Sequence, residues 1–257
     1  MSPGPGAARR GAAPAGTPGD AMFEVEALDA GYGALQILFG VSLGVSAGEQ
    51  LLVFGPNGAG KSTLMKALVG LAGVSAGHVR LRGRELTGLP TETVVGHGIG
   101  YVPQVSNVFG SMSVEENLEM GGARLGRRAA GRMRELYELF PLLAERRRQA
   151  ARTLSGGQRQ VLAMARALMP APELLLLDEP SAGLSPGMVR FIFETVSAIA
   201  RTGTAVLMVE QNARQALAYV DRGVVLENGR VRFHGEAGRL LEREDIGALY
   251  LGVQRER

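Results

Sequence analysis

The chain has no cysteine and no tryptophan, and only three histidines. Of its 28 basic residues, only Lys61 and Lys66 are lysines. Without cysteine there are no disulfides and no thiolate metal sites. His78, His97 and His234 show no metal-ligand spacing with one another. No apolar run approaches the roughly 18 residues needed to cross a bilayer. Arg9 and Arg10 are not followed by the apolar stretch of a signal peptide. The expectation is a cytosolic chain that something else must anchor if it works at a membrane. A net charge of +3 is a modest excess and demands no nucleic-acid partner. The 257 residues suffice for a substantial core, as one domain with an insertion or as two small domains.

The sparse lysines direct attention to the stretch Gly55-Pro56-Asn57-Gly58-Ala59-Gly60-Lys61-Ser62-Thr63. It fits G-x-x-x-x-G-K-[ST] in the right setting. Gln50 to Phe54 reads as a short buried strand before it, and Leu64, Ala67, Leu68 and Leu71 recur at helical spacing after it. Glycines let the backbone turn its N–H groups inward around an anion, and the helix N-terminus adds partial positive charge. Lys61 then reaches the β- and γ-phosphates, and the Ser62 hydroxyl is a ligand for Mg²⁺. An arginine-biased chain keeps lysine here because a compact ammonium fits where a planar fork would not. The pattern predicts binding of a nucleoside triphosphate.

Two further motifs follow. Leu174-Leu175-Leu176-Leu177-Asp178-Glu179 is an apolar strand ending in two carboxylates, at the sheet edge where open α/β folds bind ligands. Asp178 is positioned to hold Mg²⁺ through water, and Glu179 to polarise an attacking water. Leu154-Ser155-Gly156-Gly157-Gln158 heads a helix running to about Met169. With Ser155 as N-cap and two glycines exposing N–H groups, it reads as a second anion site, for the same nucleotide or another. A plain helix cap is the other reading.

Around these motifs the chain divides simply. Residues 1–20 are mostly Pro, Gly and Ala without apolar periodicity, a disordered leader by composition, and residues 21–257 are expected to form the folded domain. Strands are expected at Phe23–Leu28, Ile37–Val45, His78–Leu81, Ile99–Val102, Leu174–Leu177 and Thr204–Val209, with helices at 187–200 and from about 213. Two more strands, Gly223–Leu226 and Arg230–Phe233, join through Asn228-Gly229. Ser113 and Glu116 form a capping box, and an Arg-rich stretch from about 123 to 152 reads as helical, with Leu136, Leu139, Phe140 and Leu143 inward. Its charge is that of a solvated surface. The expectation is an α/β phosphate-loop core with a parallel sheet covered on both faces and a helical subdomain inserted at about 105–165.

In order and spacing, the phosphate loop, Leu-Ser-Gly-Gly-Gln and Leu-Leu-Leu-Leu-Asp-Glu-Pro resemble the ATP-binding subunits of ABC transporters, over residues from about 22 to 235. The resemblance implies the ABC ATPase fold, with an N-terminal antiparallel β region, and ATP with Mg²⁺. It implies that two subunits sandwich two ATPs, so that Ser155, Gly156, Gly157 and Gln158 act in trans. It places Tyr32 against adenine and Gln104 at Mg²⁺, linking core to helical insert. Gln211 stands where the family normally has a histidine at the γ-phosphate, and Ser185 where an aspartate is common. A neutral amide carries no positive charge, so transition-state stabilisation there should be weaker.

The segments Asn107-Val108-Phe109, Met112 to Gly121, Tyr137 to Pro141, Val209 to Asn212 and Ala248 to Gly252 resemble one subgroup. It comprises the ATPases of branched-chain amino-acid importers, specifically the smaller of the two paired ATPases; those of urea or short-chain amide importers look much alike. Such importers join two different ATPases to two membrane subunits and a substrate-binding protein. That implies a second ATPase subunit as partner, a heterodimer or a homodimer, and a place on the inner face of the cell membrane through the permease. A soluble ABC ATPase outside transport is the remoter alternative.

Overall fold

The computed structural model describes residues 21–105, 107–243 and 246. The expectations for residues 1–20 and for the Ala248 to Gly252 tail lie outside the described residues. Strands β1 (Phe23–Tyr32) and β2 (Leu35–Val45) pair antiparallel and open the domain. The chain crosses to a second sheet as β3 (Gln50–Phe54), turns through the phosphate loop and enters α1 (Lys61–Leu68).

Helix α1 ends sooner than its apolar spacing suggests. Gly70 adopts φ 74°, its N–H bonds to the Ala67 carbonyl at 3.2 Å, and the Leu71 N–H bonds to the Lys66 carbonyl at 2.7 Å. This paired closure needs a left-handed residue at Gly70 and satisfies the last carbonyls. Leu71 therefore lies past the helix and is 54% exposed, against the expectation that it shares the buried face.

Strands β4 (Gly73–Leu81) and β5 (Arg84–Glu85) return to the first sheet and complete it in the order β2-β1-β4-β5. A short helix absent from the sequence reading, α2 (Thr91–Gly96), leads into β6 (Ile99–Val102). The inserted region then begins with α3 (Val114–Gly121), closed by the Ser113–Glu116 capping box in both directions.

The Arg-rich stretch is not one helix. It divides into α4 (Ala129–Leu139) and α5 (Pro141–Glu145). Pro141 has no N–H with which to continue α4, and it holds Phe140 at φ −126° and ψ 72°, outside the helical region. The chain then doubles back, and the Val114 and Glu115 N–H groups bond to the Gln149 and Arg147 carbonyls at 3.0 and 2.9 Å. The last helix of this region is α6 (Gly156–Leu168).

The core resumes with β7 (Leu174–Asp178), α7 (Pro186–Arg201), β8 (Ala205–Glu210) and α8 (Ala213–Ala216). Strands β9 (Arg222–Glu227) and β10 (Arg230–Glu236) form the expected hairpin, and α9 (Ala237–Glu242) follows. Asn228 and Gly229 have φ 48° and 72°, the two positive values of the tight turn whose twist suits a hairpin.

The second sheet runs β10-β9-β3-β8-β7-β6 and is parallel except for β10. Its parallel strands are apolar on both faces because both are covered, whereas the edge strand β10 is largely exposed. Leu51, Val53, Leu174, Leu176, Leu207 and Val209 face α1 and the antiparallel sheet, whereas Leu52, Phe54, Leu175, Leu177, Val206 and Met208 face the helices of the insert and α7. Four neighbouring parallel strands, β3, β8, β7 and β6, therefore deliver their C-terminal ends to one edge. The phosphate loop, Gln211, Asp178-Glu179 and Gln104 all follow those ends.

Candidate active site

The loop from Gly55 to Gly60 leaves β3 with no room for side chains at its first position. A Cβ on Gly55 would stand 1.9 Å from the Leu226 carbonyl oxygen, and φ there is 153°. The Gly229 N–H bonds to the Ala59 carbonyl at 3.0 Å, so the β9–β10 turn braces the loop. Gly60 is the left-handed N-cap of α1, and Lys61 is its first residue. The buried Lys61 Nζ donates to the Gly55 and Pro56 carbonyls at 2.9 and 3.0 Å. Burial lowers its pKa; the fields of Glu179, Asp178 and Glu210 act in the opposite sense.

Asp178 ends β7 almost wholly buried, and its Oδ1 has no hydrogen-bond partner among the described residues. Burial and the Glu179 charge raise its pKa, while Lys66 and the Ser62 and Tyr101 hydroxyls hold it down. An orphaned carboxylate oxygen beside a serine hydroxyl is a donor set of hard oxygens, which suits Mg²⁺. Among the described residues no three His, Cys, Asp or Glu side chains gather to hold a metal by themselves. Mg²⁺ would take its remaining ligands from phosphate and water, as this cation prefers. The site fits.

Glu179 adopts φ 48°, a left-handed conformation that costs a non-glycine residue about 1–3 kcal/mol. Its N–H bonds to the Val209 carbonyl at 3.0 Å, which turns the chain across the end of β8. Its Oε2 accepts from Gln104 Nε2 at 2.8 Å. Two residues on, the Ser181 N–H donates to Glu210 Oε1 at 2.8 Å. Gln211 is exposed immediately after β8.

Tyr32 ends β1 with 43% of its surface exposed, and Lys66 Nζ lies 5.9 Å from its ring centroid. Ser155 caps α6 reciprocally: its Oγ accepts the Gln158 N–H at 3.3 Å, and Gln158 Oε1 accepts the Ser155 N–H at 3.0 Å. The Gln158 side-chain oxygen is thereby committed within the helix cap, while Ser155 and Gly156 stay exposed. Ser185 precedes α7 as its N-cap without a side-chain cap bond.

The order of these parts, from the strand-borne loop through the capped Ser155 helix to the strand ending in Asp178-Glu179, matches a family model described as ABC transporter over residues 38–182. The chain belongs to the ABC transporter ATPases. It is 45% identical over 232 residues to the high-affinity branched-chain amino acid transport ATP-binding protein BraG of Pseudomonas aeruginosa, covering 90% of this chain and 100% of that one. It is 42% identical over 234 residues to the probable branched-chain amino acid transport ATP-binding protein LivF of Archaeoglobus fulgidus, covering 90% and 99%. Among solved structures, it superposes with TM-score 0.80 and 27% identity on the ADP conformation of an ATP-binding cassette of an ABC transporter, covering 91% and 99%.

As a member of this family, the chain hydrolyses ATP in the service of transport. Several side-chain contacts beside these motifs escaped the sequence reading. Glu210 carries the signal that singled out Asp178, an acidic residue closing an apolar strand, and it is 1% exposed. Asn107 Nδ2 donates to Gln160 Oε1 at 2.7 Å, tying the segment after Gln104 to α6. No local sequence pattern marks that pair, because 53 residues separate its members.

Proposed function

We propose that this ATPase powers import of branched-chain amino acids, as the smaller of two paired ATPase subunits. The observation that carries this reading is the end-to-end match to BraG, with all of that protein's length covered. The second ATPase is a different chain in this reading, and a homodimer is the other outcome. Both ATPases attach to permease subunits on the inner face of the membrane, and a substrate-binding protein delivers the solute. Among the described residues no helix is long and apolar enough to cross a membrane, so attachment runs through those partners.

The site residues take the following roles. The loop after Gly55 presents the backbone N–H groups of Asn57, Gly58 and Gly60 to the phosphates, Pro56 having none and Ala59 bonding to the Pro56 carbonyl. Lys61 leaves its two carbonyl partners for the β- and γ-phosphates, and Thr63 supports the first turn of α1. Ser62, Asp178 and Gln104 would hold Mg²⁺, which would supply positive charge against the phosphate oxygens. Glu179 accepts a proton from the attacking water, with Gln104 fixing its carboxylate. Gln211 donates an amide hydrogen bond to the γ-phosphate, and Tyr32 stacks on adenine. Ser155, Gly156, Gly157 and Gln158 form the face offered to the partner's nucleotide, where exposed Ser155 and Gly156 give free access.

Uptake of labelled leucine and labelled urea in a deletion strain tests the cargo. Leucine uptake should be lost, and restored by the wild-type gene but not by Lys61→Ala. Loss of urea uptake alone would overturn the cargo and keep the transport reading. No change in either would overturn both cargoes and leave the ATPase standing with another role.

A further inference from the structure

One carboxyl in this edge of the sheet has no part in the chemistry above. Glu210 ends β8, opposite Phe54 of β3 and next to Val209, which is opposite Asp178 of β7. Burial of a carboxylate costs several kcal/mol unless hydrogen bonds replace water. Those bonds are specific here. Glu210 Oε1 accepts the Ser181 N–H at 2.8 Å, and the Ser181 hydroxyl and the Gln211 N–H also favour its charged form. Ser181 lies two residues beyond Glu179, and Gln211 directly follows Glu210. The loop that carries Glu179 is thus stitched to β8 twice, once from the Glu179 N–H to the Val209 carbonyl at 3.0 Å and once through Glu210.

We propose that Glu210 is a positioning residue for ATP hydrolysis: its carboxyl holds the Ser181 loop to the end of β8, so that Glu179 and Gln211 stay in register on the γ-phosphate. This rests on the reading in which Glu179 activates water. Removing the carboxyl leaves a single backbone bond to hold that loop. The charged groups that act on Glu210 are Lys61 from α1 and Glu179 from the end of β7. Burial and the Glu179 charge push the Glu210 pKa up to about 7, against the pull of Ser181 and Gln211. An ionised carboxylate is the stronger acceptor, so the clamp tightens as pH rises through neutrality.

Steady-state phosphate release by the full chain with its co-purifying subunits, measured across pH for wild type, Glu210→Gln, Glu210→Ala and Glu179→Gln, tests this. Glu210→Ala should lose about tenfold or more in kcat while KM for ATP stays within about twofold, the pattern of a lost transition-state interaction. Glu210→Gln keeps an acceptor for the Ser181 N–H, so its loss should be smaller, and its profile should lack the limb near neutrality. Wild-type turnover in Glu210→Ala, or an unaltered pH profile in Glu210→Gln, would overturn the assignment. Should Glu210→Ala fail to fold, the isosteric Glu210→Gln decides alone. Full turnover in Glu179→Gln would sink the water-activating reading instead, leaving Glu210 to be judged by its own kcat loss and profile.

Discussion

Gln104 Nε2 and Glu179 Oε2 stand 2.8 Å apart, joining the segment that enters the helical insert to the carboxylate that follows β7. The pair brings together two strand ends 75 residues apart in sequence. It offers the carboxylate one fixed orientation, which a proton acceptor needs more than it needs basicity.

Replacing Glu179 with Gln should lower ATP turnover by about 10²-fold or more and leave ATP binding intact, since general-base terms are of that size. Replacing Gln104 with Ala should lower turnover by about tenfold through loss of orientation. Phosphate release with parallel nucleotide titration reads both. Undiminished hydrolysis by Glu179→Gln would remove it from the role of base.

Replacing Gln211 with His should raise turnover, because an imidazolium adds charge where the amide offers only a hydrogen bond. The gain should be about tenfold at pH 6 and shrink towards pH 8 as the ring loses its proton. A rate unchanged at both pH values would place Gln211 away from the γ-phosphate.

Stability should carry the mark of Glu210. The unfolded carboxyl ionises near 4.5, whereas the folded one holds its proton up to about 7. Its contribution is therefore full below pH 4.5 and is lost as pH rises through about 7. Glu210→Gln does not ionise, so urea denaturation should show the variant gaining on wild type across that window by on the order of 3 kcal/mol. A difference that stays flat between pH 5 and pH 8 would contradict the burial of a titrating group there.

Asn117 should matter to stability rather than to chemistry. It is fully buried in α3; its Oδ1 accepts the Phe109 N–H at 2.8 Å, and its Nδ2 donates to the Phe109 and Ser113 carbonyls at 3.0 and 2.8 Å. Asn117→Leu leaves the Phe109 N–H unpaired, while the Phe109 and Ser113 carbonyls keep the Met112 and Asn117 N–H groups, and should cost about 1–3 kcal/mol. Thermal melting reads the loss, and a melt within about a degree of wild type would show that water replaces the amide.

The sequence displayed this architecture wherever a local rule acted alone. The capping box at Ser113, the N-cap at Ser155, the Asn228-Gly229 turn and the apolar strand into Asp178 depend on neighbours within a few residues, and each stands as read. Leu71 was misplaced because the left-handed turn at Gly70 overrides apolar spacing. The helical character expected over about 123–152 is present, but where it breaks follows from what Pro141 does to Phe140. The contacts that stayed hidden, Glu210 with Ser181 and Asn107 with Gln160, join residues 29 and 53 positions apart. Strand order creates those contacts, and a single chain does not spell out strand order in its local patterns.

The alternation along β7 has one more effect. Leu174 and Leu176 belong to one hydrophobic layer, Leu175 and Leu177 to the other, and Asp178 ends the same strand. Loosening that strand costs contacts in both layers, so the two cores should melt as one cooperative unit. Whatever fastens Asp178 at the edge also tightens that unit. Nucleotide and cation should therefore raise the melting temperature of the whole domain through mass action, with a single transition at every concentration.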